Sequence, residues 1–165
     1  MNEIFKRVSI RKFQDKAVEK EKIEEILKAA MAAPSAANRQ PWEFYVVTDD
    51  KKKQQLAETS AYSKPAAKAP VVIVTCYNTT VMRFPEFNLV DLGAATENIL
   101  LEATSLGLGS CWLAVAPDDK RMKLVEEALE INPEEMHAFA MVAIGYSDEE
   151  KEQEDRFDKN KIHYV

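Results

Sequence analysis

Residues 91–106 read Asp-Leu-Gly-Ala-Ala-Thr-Glu-Asn-Ile-Leu-Leu-Glu-Ala-Thr-Ser-Leu, a segment that is apolar around most of a helical circumference. Its charges are limited to Asp91, Glu97 and Glu102, and Gly107 follows as a helix breaker. A helix with apolar residues on nearly every side has to be buried over most of its surface. The segment therefore predicts either a helix at the centre of a small domain or a helix at a subunit interface.

Helices and strands are predicted to alternate along the rest of the chain. The patterning of apolar residues predicts helices at residues 19–33, 51–61 and 118–130, and strands at residues 42–48, 71–77, 111–115 and 137–144. Every connection between these strands is long, which favours one mixed sheet packed with helices over a meander of hairpins. No linker divides the sequence, so we expect one domain over residues 1–165.

The C-terminal part of the sequence has a different character. Residues 147–161 are strongly charged and lack a helical apolar stripe, so they cannot bury much of their surface. The last residues, 162–165, read Ile-His-Tyr-Val and are typical of a strand. We expect an extended tail over residues 147–165 that contacts a partner subunit.

The composition is that of an ordinary globular protein, with 46% hydrophobic and 30% charged residues. The net charge of -6 argues against nucleic acid as a partner, because phosphate backbones favour clusters of Lys and Arg, and against an anionic membrane surface. No apolar run approaches the roughly 20 residues of a membrane-spanning helix, and the first residues lack a signal-peptide pattern. We expect a cytoplasmic protein with no nucleic-acid or membrane partner.

Residue types that carry nucleophilic or metal chemistry are scarce. Cys76 and Cys111 lie far apart without zinc-site spacing, so we expect two buried free thiols. The only histidines are His137 and His163, which excludes a multi-histidine metal site, and no nucleophile motif accompanies them. The sequence therefore predicts no metal site and no catalytic side chain.

Two acidic pairs, Glu24-Glu25 and Glu126-Glu127, lie within predicted helices. Neighbouring positions on a helix do not face one another. We expect these four residues to be solvated surface charges.

Residues 6–13, Lys-Arg-Val-Ser-Ile-Arg-Lys-Phe, combine four cations with one hydroxyl group. In an extended segment the side chains of Arg7, Ser9 and Arg11 can point to the same side. Guanidinium groups bind phosphate oxygens in a two-pronged manner, and a serine adds a donor. The segment indicates a phosphate site, with a solvated basic surface as the alternative.

Two further segments could contribute to a binding site. In residues 34–42 the amides of Asn38 and Gln40 could pair with the polar edge of a planar heterocycle, or the segment could be a simple helix-to-strand turn. In residues 107–114 the glycines lie between a helix and a strand, the reverse of the order in a dinucleotide fingerprint. This second segment predicts a helix end followed by a strand.

Together, these segments resemble the nitroreductase family of FMN-dependent enzymes in its short form. The matching segments are residues 7–13, 34–42, 91–98, 107–112 and 155–158, followed by His163-Tyr164 near the C-terminus. The resemblance implies an α+β sandwich with one mixed or antiparallel sheet packed with helices. It also implies an intertwined homodimer that binds FMN in two symmetric clefts at the subunit interface.

The cofactor-binding residues implied by the resemblance fall into three groups. The group for the phosphate and the ribityl chain comprises Arg7, Val8 through its backbone, Ser9, Arg11 and Arg156. The group that lines the flavin from the other subunit comprises Pro34, Ser35, Asn38 and Gln40. The group near the reactive edge and the pyrimidine side of the ring comprises Leu113, Ala114 and Lys64.

The activity implied by the resemblance is that of an oxidoreductase. NADH or NADPH would reduce FMN by hydride transfer, and an electron-poor acceptor such as a nitroaromatic or a quinone would then take the electrons in the same cleft. The alternatives are a flavin-binding storage or sensor protein without turnover, a relative with other flavin chemistry (dehalogenation or flavin breakdown), and a flavin-free interaction domain. Residues 78–88 form only a short segment in the region where longer members of the family build a substrate lid. The sequence therefore does not predict the acceptor.

Overall fold

A four-stranded antiparallel sheet forms the centre of the structure, a computed structural model that describes residues 3–81 and 83–165. The strands are β1 (Trp42–Val47), β2 (Val71–Asn78), β3 (Gly109–Ala114) and β4 (Met136–Gly145). Their order across the sheet is β1-β2-β4-β3, so the two most apolar strands occupy the middle. Every pairing between these four strands is antiparallel, and the prediction of an α+β fold with a mixed or antiparallel sheet is confirmed.

Five α-helices surround this sheet in the described residues. They are α1 (Glu3–Lys6), α2 (Lys20–Met31), α3 (Asp50–Ala57), α4 (Asn88–Ser105) and α5 (Asp119–Leu129). The helix predicted from Asp91 begins earlier, at Asn88, after a short 3-10 turn at Pro85–Phe87. Asp49 and Asp118 cap α3 and α5 by accepting hydrogen bonds from the backbone N–H groups of Lys52 and Arg121.

The sheet is covered on both faces, which makes the domain a sandwich. On one face, α2 and α4 pack through residues such as Ile26 and Ile99 against Ile73 and Val142 of the two central strands. The opposite face is covered by α3 and α5, whose core residues include Leu56, Ala57, Val125 and Ala128. The apolar helix α4 therefore lies in an outer layer, not at the domain centre.

The N-terminal segment and the C-terminal tail run beside each other along the sheet. Phe13 forms an antiparallel bridge with Ser147, and the backbone N–H of Asp148 donates to the carbonyl of Lys12 at 3.0 Å. Beyond residue 146 the tail forms a bridge at Ser147 and a 3-10 turn at Lys159–Lys161, with no α-helix or strand among its described residues. An extended tail in contact with a partner subunit stays a prediction.

One member of the acidic pair Glu126-Glu127 differs from the prediction. Glu126 is buried, and its Oε1 atom accepts a hydrogen bond from Ala138 N–H at 3.0 Å and lies 3.1 Å from His137 Nδ1. The prediction that Glu126 is a solvated charge is wrong, because the start of β4 covers this side of α5. Cys76 and Cys111 are both buried free thiols, as predicted.

Candidate functional site

A cavity of about 630 Å³ opens between the N-terminal segment, the loop before β2, and β3. Its lining contains five cationic side chains and, among the described residues, no carboxylate; the cations are Arg11, Lys12, Lys64, Lys68 and Arg121. The remaining wall is mostly apolar or aromatic and includes Tyr62, Trp112 and Leu113. In a chain of net charge -6, such a concentration of positive charge favours an anionic ligand that also has a planar apolar part.

Backbone pairing with β3 places residues 6–13, the cationic segment, at this cavity. Ser9 forms a parallel bridge with Ser110, and Ile10 N–H donates to the Ser110 carbonyl at 2.9 Å. The Ile10 side chain packs so closely on Gly109 that a Cβ atom there would lie 2.8 Å from it. Gly109 is therefore required for packing, and Gly107 ends α4 in a left-handed conformation with φ 74°. This confirms the interpretation of residues 107–114 as a helix end and a strand.

The end of β3 forms another wall of the cavity. Leu113 is buried, Ala114 is exposed, and the Ala114 carbonyl accepts a hydrogen bond from Arg121 Nη1 at 3.4 Å. The Arg121 Nε atom lies 3.3 Å from a carboxylate oxygen of Asp118, which caps α5. These contacts hold the Arg121 guanidinium at the end of the strand.

The one thiol in the cavity lining is not suited to act as a nucleophile. Burial raises the pKa of the Cys111 thiol, although the nearby charge of Arg11 acts in the opposite direction. The group therefore stays protonated at neutral pH, and the thiolate is the reactive form of cysteine. No group of His, Cys, Asp and Glu side chains in residues 3–81 and 83–165 is arranged to bind a metal ion.

The loop at residues 34–41 lies outside the cavity and has an unusual backbone. Ala37, Asn38 and Gln40 adopt left-handed conformations with φ 51°, 55° and 50°. Such conformations cost roughly 1–2 kcal/mol for residues with a Cβ atom, and they persist where the surroundings hold them. Here Gln40 N–H donates to Ser35 Oγ at 2.9 Å, and the Gln40 side-chain amide donates to Asn38 Oδ1 at 2.9 Å.

The structure brings together four of the residues predicted to bind the cofactor. These residues, which all line the cavity, are Arg11, Lys64, Leu113 and Ala114. The predicted residues outside its lining are Arg7, Val8, Ser9, Pro34, Ser35, Asn38, Gln40 and Arg156. Arg7 lies 3.7 Å from Glu97 of α4, and Arg156 is exposed in the tail. Their roles stay predictions, since a cleft between two subunits would collect residues from surfaces that one chain keeps apart.

Sequence reasoning missed three cations of the cavity. Lys12 belongs to the cationic segment, but nothing in the spacing distinguishes it from a solvated lysine. Lys68 and Arg121 come from the loop before β2 and from α5. Only the packing of these elements around the end of β3 brings them to the same cavity, and no sequence signal indicates this.

A larger cavity of about 900 Å³ adjoins the first and shares Arg11, Lys12 and Lys68 with it. Its lining also contains three carboxylates, from Asp15, Asp50 and Asp148. Mixed charge makes this cavity a poorer match for an anion, so we place the candidate site in the smaller one.

Comparisons with known proteins agree with the fold. The model of the nitroreductase family matches residues 4–79 and 61–146. A relative from Archaeoglobus fulgidus, provisionally named NADH dehydrogenase/NAD(P)H nitroreductase, is 43% identical over 164 residues, covering 97% of this chain and 94% of the relative. None of the helices in the described residues has the combination of length and apolarity needed to traverse a bilayer.

Two solved structures are similar over nearly the whole chain. An FMN-dependent nitroreductase from Clostridium difficile R20291 superposes with a TM-score of 0.90 at 35% identity, covering 99% of this chain and 97% of that one. The NADPH:FMN oxidoreductase of Vibrio harveyi, solved in complex with NAD+, has a TM-score of 0.85 at 26% identity, with coverages of 99% and 75%.

Proposed function

We propose that this chain, which belongs to the nitroreductase family, is an FMN-dependent oxidoreductase that transfers hydride from NADH or NADPH to an electron-poor acceptor such as a nitroaromatic or a quinone. The observation that carries the proposal is the cavity beside β3, with its five cations and no carboxylate among the described residues. The relatives support it, since one is described as FMN-dependent and another was solved with NAD+.

The residues of the cavity fit FMN in both size and chemistry. About 630 Å³ falls within the range of roughly 300–1,000 Å³ that small-molecule sites occupy. Tyr62 and Trp112 offer an apolar surface for a planar ring, and the cations complement a phosphate. Bound FMN would supply the redox chemistry by accepting hydride and passing it to the acceptor.

The roles of the chain's own residues follow from their chemistry. Arg11 and Lys12 would hold the phosphate and ribityl chain through charge-assisted hydrogen bonds. Lys64 and Lys68 would stabilise negative charge on the pyrimidine side of the ring, and the backbone at Leu113 and Ala114 would contact its edge. No side chain needs to act as a nucleophile, which agrees with the protonated state of Cys111.

We also propose that the working form is a homodimer. One end of α4 and the turn before it carry exposed large apolar side chains, namely those of Phe84, Phe87, Leu89 and Val90. Exposed apolar patches of several hundred Å² mark interaction surfaces. The loop at residues 34–41 is bonded to this same end of α4 through Asp91, so a dimer built here would bring Pro34, Ser35 and Asn38 to a partner.

Anaerobic reduction tests the proposed activity. The protein is loaded with FMN, oxygen is removed, and NADH or NADPH is added while flavin absorbance is followed. We expect the flavin to bleach and to recover when a nitroaromatic or a quinone is added. A flavin that neither donor reduces would favour a storage or sensor protein, whereas bleaching without recovery on any acceptor would favour another flavin chemistry.

A further inference from the structure

The carboxylate of Glu149, in the C-terminal tail, contacts backbone N–H groups of the cationic segment. Its Oε1 atom accepts hydrogen bonds from the N–H groups of Arg11 at 2.5 Å and Lys12 at 3.2 Å. The ammonium of Lys151 lies 2.9 Å from the same oxygen, and the Glu149 side chain is only 15% exposed. Among the described residues, neither N–H group has another hydrogen-bond partner.

These hydrogen bonds lower the pKa of Glu149 to about 2. The largest cause is the N–H group of Arg11, followed by Lys151 and then by the N–H group of Lys12. The side chain is therefore ionised at neutral pH. Two successive N–H groups that converge on one point form a concave anion site, and in this chain a carboxylate of the protein itself occupies it.

Further contacts of the tail hold the same segment. Lys151 Nζ donates to the Ser9 carbonyl at 3.2 Å, and the side-chain amide of Gln153 donates to the Arg7 carbonyl at 3.1 Å. Arg11 and Lys12 lie outside any helix or strand, between the bridges at Ser9 and Phe13. Between these two bridges, the Glu149 carboxylate is the group that binds both of their N–H groups.

We propose that Glu149 is a positioning residue for the cofactor. Glu149 does not line the cavity. By accepting hydrogen bonds from both N–H groups, it directs the side chains of Arg11 and Lys12 into the cavity. It also keeps the backbone amides of these two residues away from the phosphate of FMN. This inference rests on the proposed function, because it concerns the affinity for FMN. Its consequence is that the tail controls retention of a cofactor that Glu149 never touches.

The first test compares Glu149→Gln with Glu150→Gln. Glu150 is exposed, forms no hydrogen bond or ion pair across the described ranges, and undergoes the same change in charge. We expect Glu149→Gln to weaken FMN binding about tenfold, measured by quenching of flavin fluorescence, since a charge-assisted hydrogen bond is lost. Hydrogen exchange at the amides of Arg11 and Lys12 should accelerate, while Glu150→Gln should leave both measurements unchanged.

A double-mutant cycle separates positioning from general stabilisation. In an Arg11→Ala, Lys12→Ala background the cations through which Glu149 acts are gone, although both N–H groups remain. Glu149→Gln should then change FMN affinity less than about twofold. An unreduced effect in that background, or wild-type affinity in Glu149→Gln itself, would overturn the inference and leave the proposed function intact.

Two remaining outcomes are also informative. If Glu149→Gln does not fold, Glu149→Asp keeps the charge with a shorter reach, and we expect it to fold with an affinity between those of wild type and Ala substitutions of the cations. Wild-type affinity in Glu149→Asp would count against the inference, because the shorter carboxylate cannot reach both amides. A wild-type protein that binds no FMN would remove the proposed function and this inference with it.

Discussion

Arg39 and Asp91 form a buried ion pair that joins the loop at residues 34–41 to the first turn of α4. Their side chains are 3% and 5% exposed. The second carboxylate oxygen of Asp91 accepts a hydrogen bond from Ala36 N–H at 2.9 Å, and Asn88 Oδ1 accepts one from Arg39 at 3.0 Å. Two segments that are far apart in the sequence therefore form one structural unit, and Asp91 is its centre.

Removal of the Asp91 carboxylate should strongly destabilise the fold. Asp91→Ala leaves the Arg39 guanidinium buried and without its charge partner, which typically costs about 3–5 kcal/mol of the free energy of unfolding. Urea denaturation measures this. The control is Glu97→Ala on the same helix, whose ion pair with Arg7 is longer, at 3.7 Å, with Glu97 49% exposed. It should cost less than about 1 kcal/mol, and equal costs for both variants would contradict the account.

Arg11 should be the most important side chain for cofactor affinity. Arg11→Ala removes a cation from the cavity and should weaken FMN binding by about 1.5–3 kcal/mol, the value of a hydrogen bond to a charged group. Fluorescence quenching of FMN by the protein gives the affinity. Lys51→Ala removes a charge from an exposed site on α3 and should have no effect. Unchanged affinity in Arg11→Ala would refute the assignment.

The stabilisation of the folded protein by Glu149 should decrease at acid pH. Its pKa is lowered from 4.5 to about 2 in the folded protein, so the ionised group stabilises the native state fully above pH 4.5. That contribution is lost as the pH falls through this interval toward about 2. In urea denaturation, wild type should therefore exceed Glu149→Gln by a constant margin near neutral pH and by a shrinking margin in acid. A margin that does not change with pH would contradict the ionised contact.

Both thiols should resist modification in the native protein. Burial raises the pKa of Cys76 and of Cys111, so neither presents a thiolate to a reagent near pH 8. We expect a colorimetric disulfide reagent to react at least about a hundredfold more slowly than with an exposed thiol, since reaction requires local opening. Denaturation in urea should release both thiols at once. Rapid labelling of one thiol in the folded protein would show that its environment differs from the structure.

A charge on the exposed face of α4 should prevent dimerisation. Val90 is 67% exposed and belongs to the apolar patch at the start of the helix. Val90→Asp should convert a dimer to a monomer in sedimentation velocity and weaken FMN binding, because the cleft would lose its second subunit. Lys120→Asp introduces the same residue at an exposed site on α5 and should remain dimeric. A wild-type monomer, or a Val90→Asp dimer, would exclude this interface.

The patterning of the sequence was sufficient for the four strands and for four of the five α-helices of the described residues, whereas nothing in it indicated the short helix α1. The continuous apolar run at residues 71–77 identified a strand buried on both faces, and β2 occupies that position in the middle of the sheet. Apolar periodicity also indicated α2 and α5. These predictions succeed because burial of a face is encoded locally, in the spacing of side chains along one element.

The candidate site was only partly predictable. Arg11 was identifiable because several cations lie together in the sequence, and Lys64 through the resemblance to a family. Arg121 could not be predicted, since it reaches the cavity only through the packing of α5 beside β3. The same limit explains the error at Glu126, whose burial is caused by a strand that follows it in the chain. Contacts between distant elements leave no mark on local periodicity.

Titration of the purified apoprotein with FMN tests the central claim most directly, because it asks whether the cationic cavity holds a phosphorylated flavin. We expect saturable quenching of flavin fluorescence with one FMN per chain, and a Lys68→Ala variant, which removes another cavity cation, should bind more weakly. A protein whose addition leaves flavin fluorescence unchanged, and which stays colourless after dialysis against excess FMN, would contradict the account.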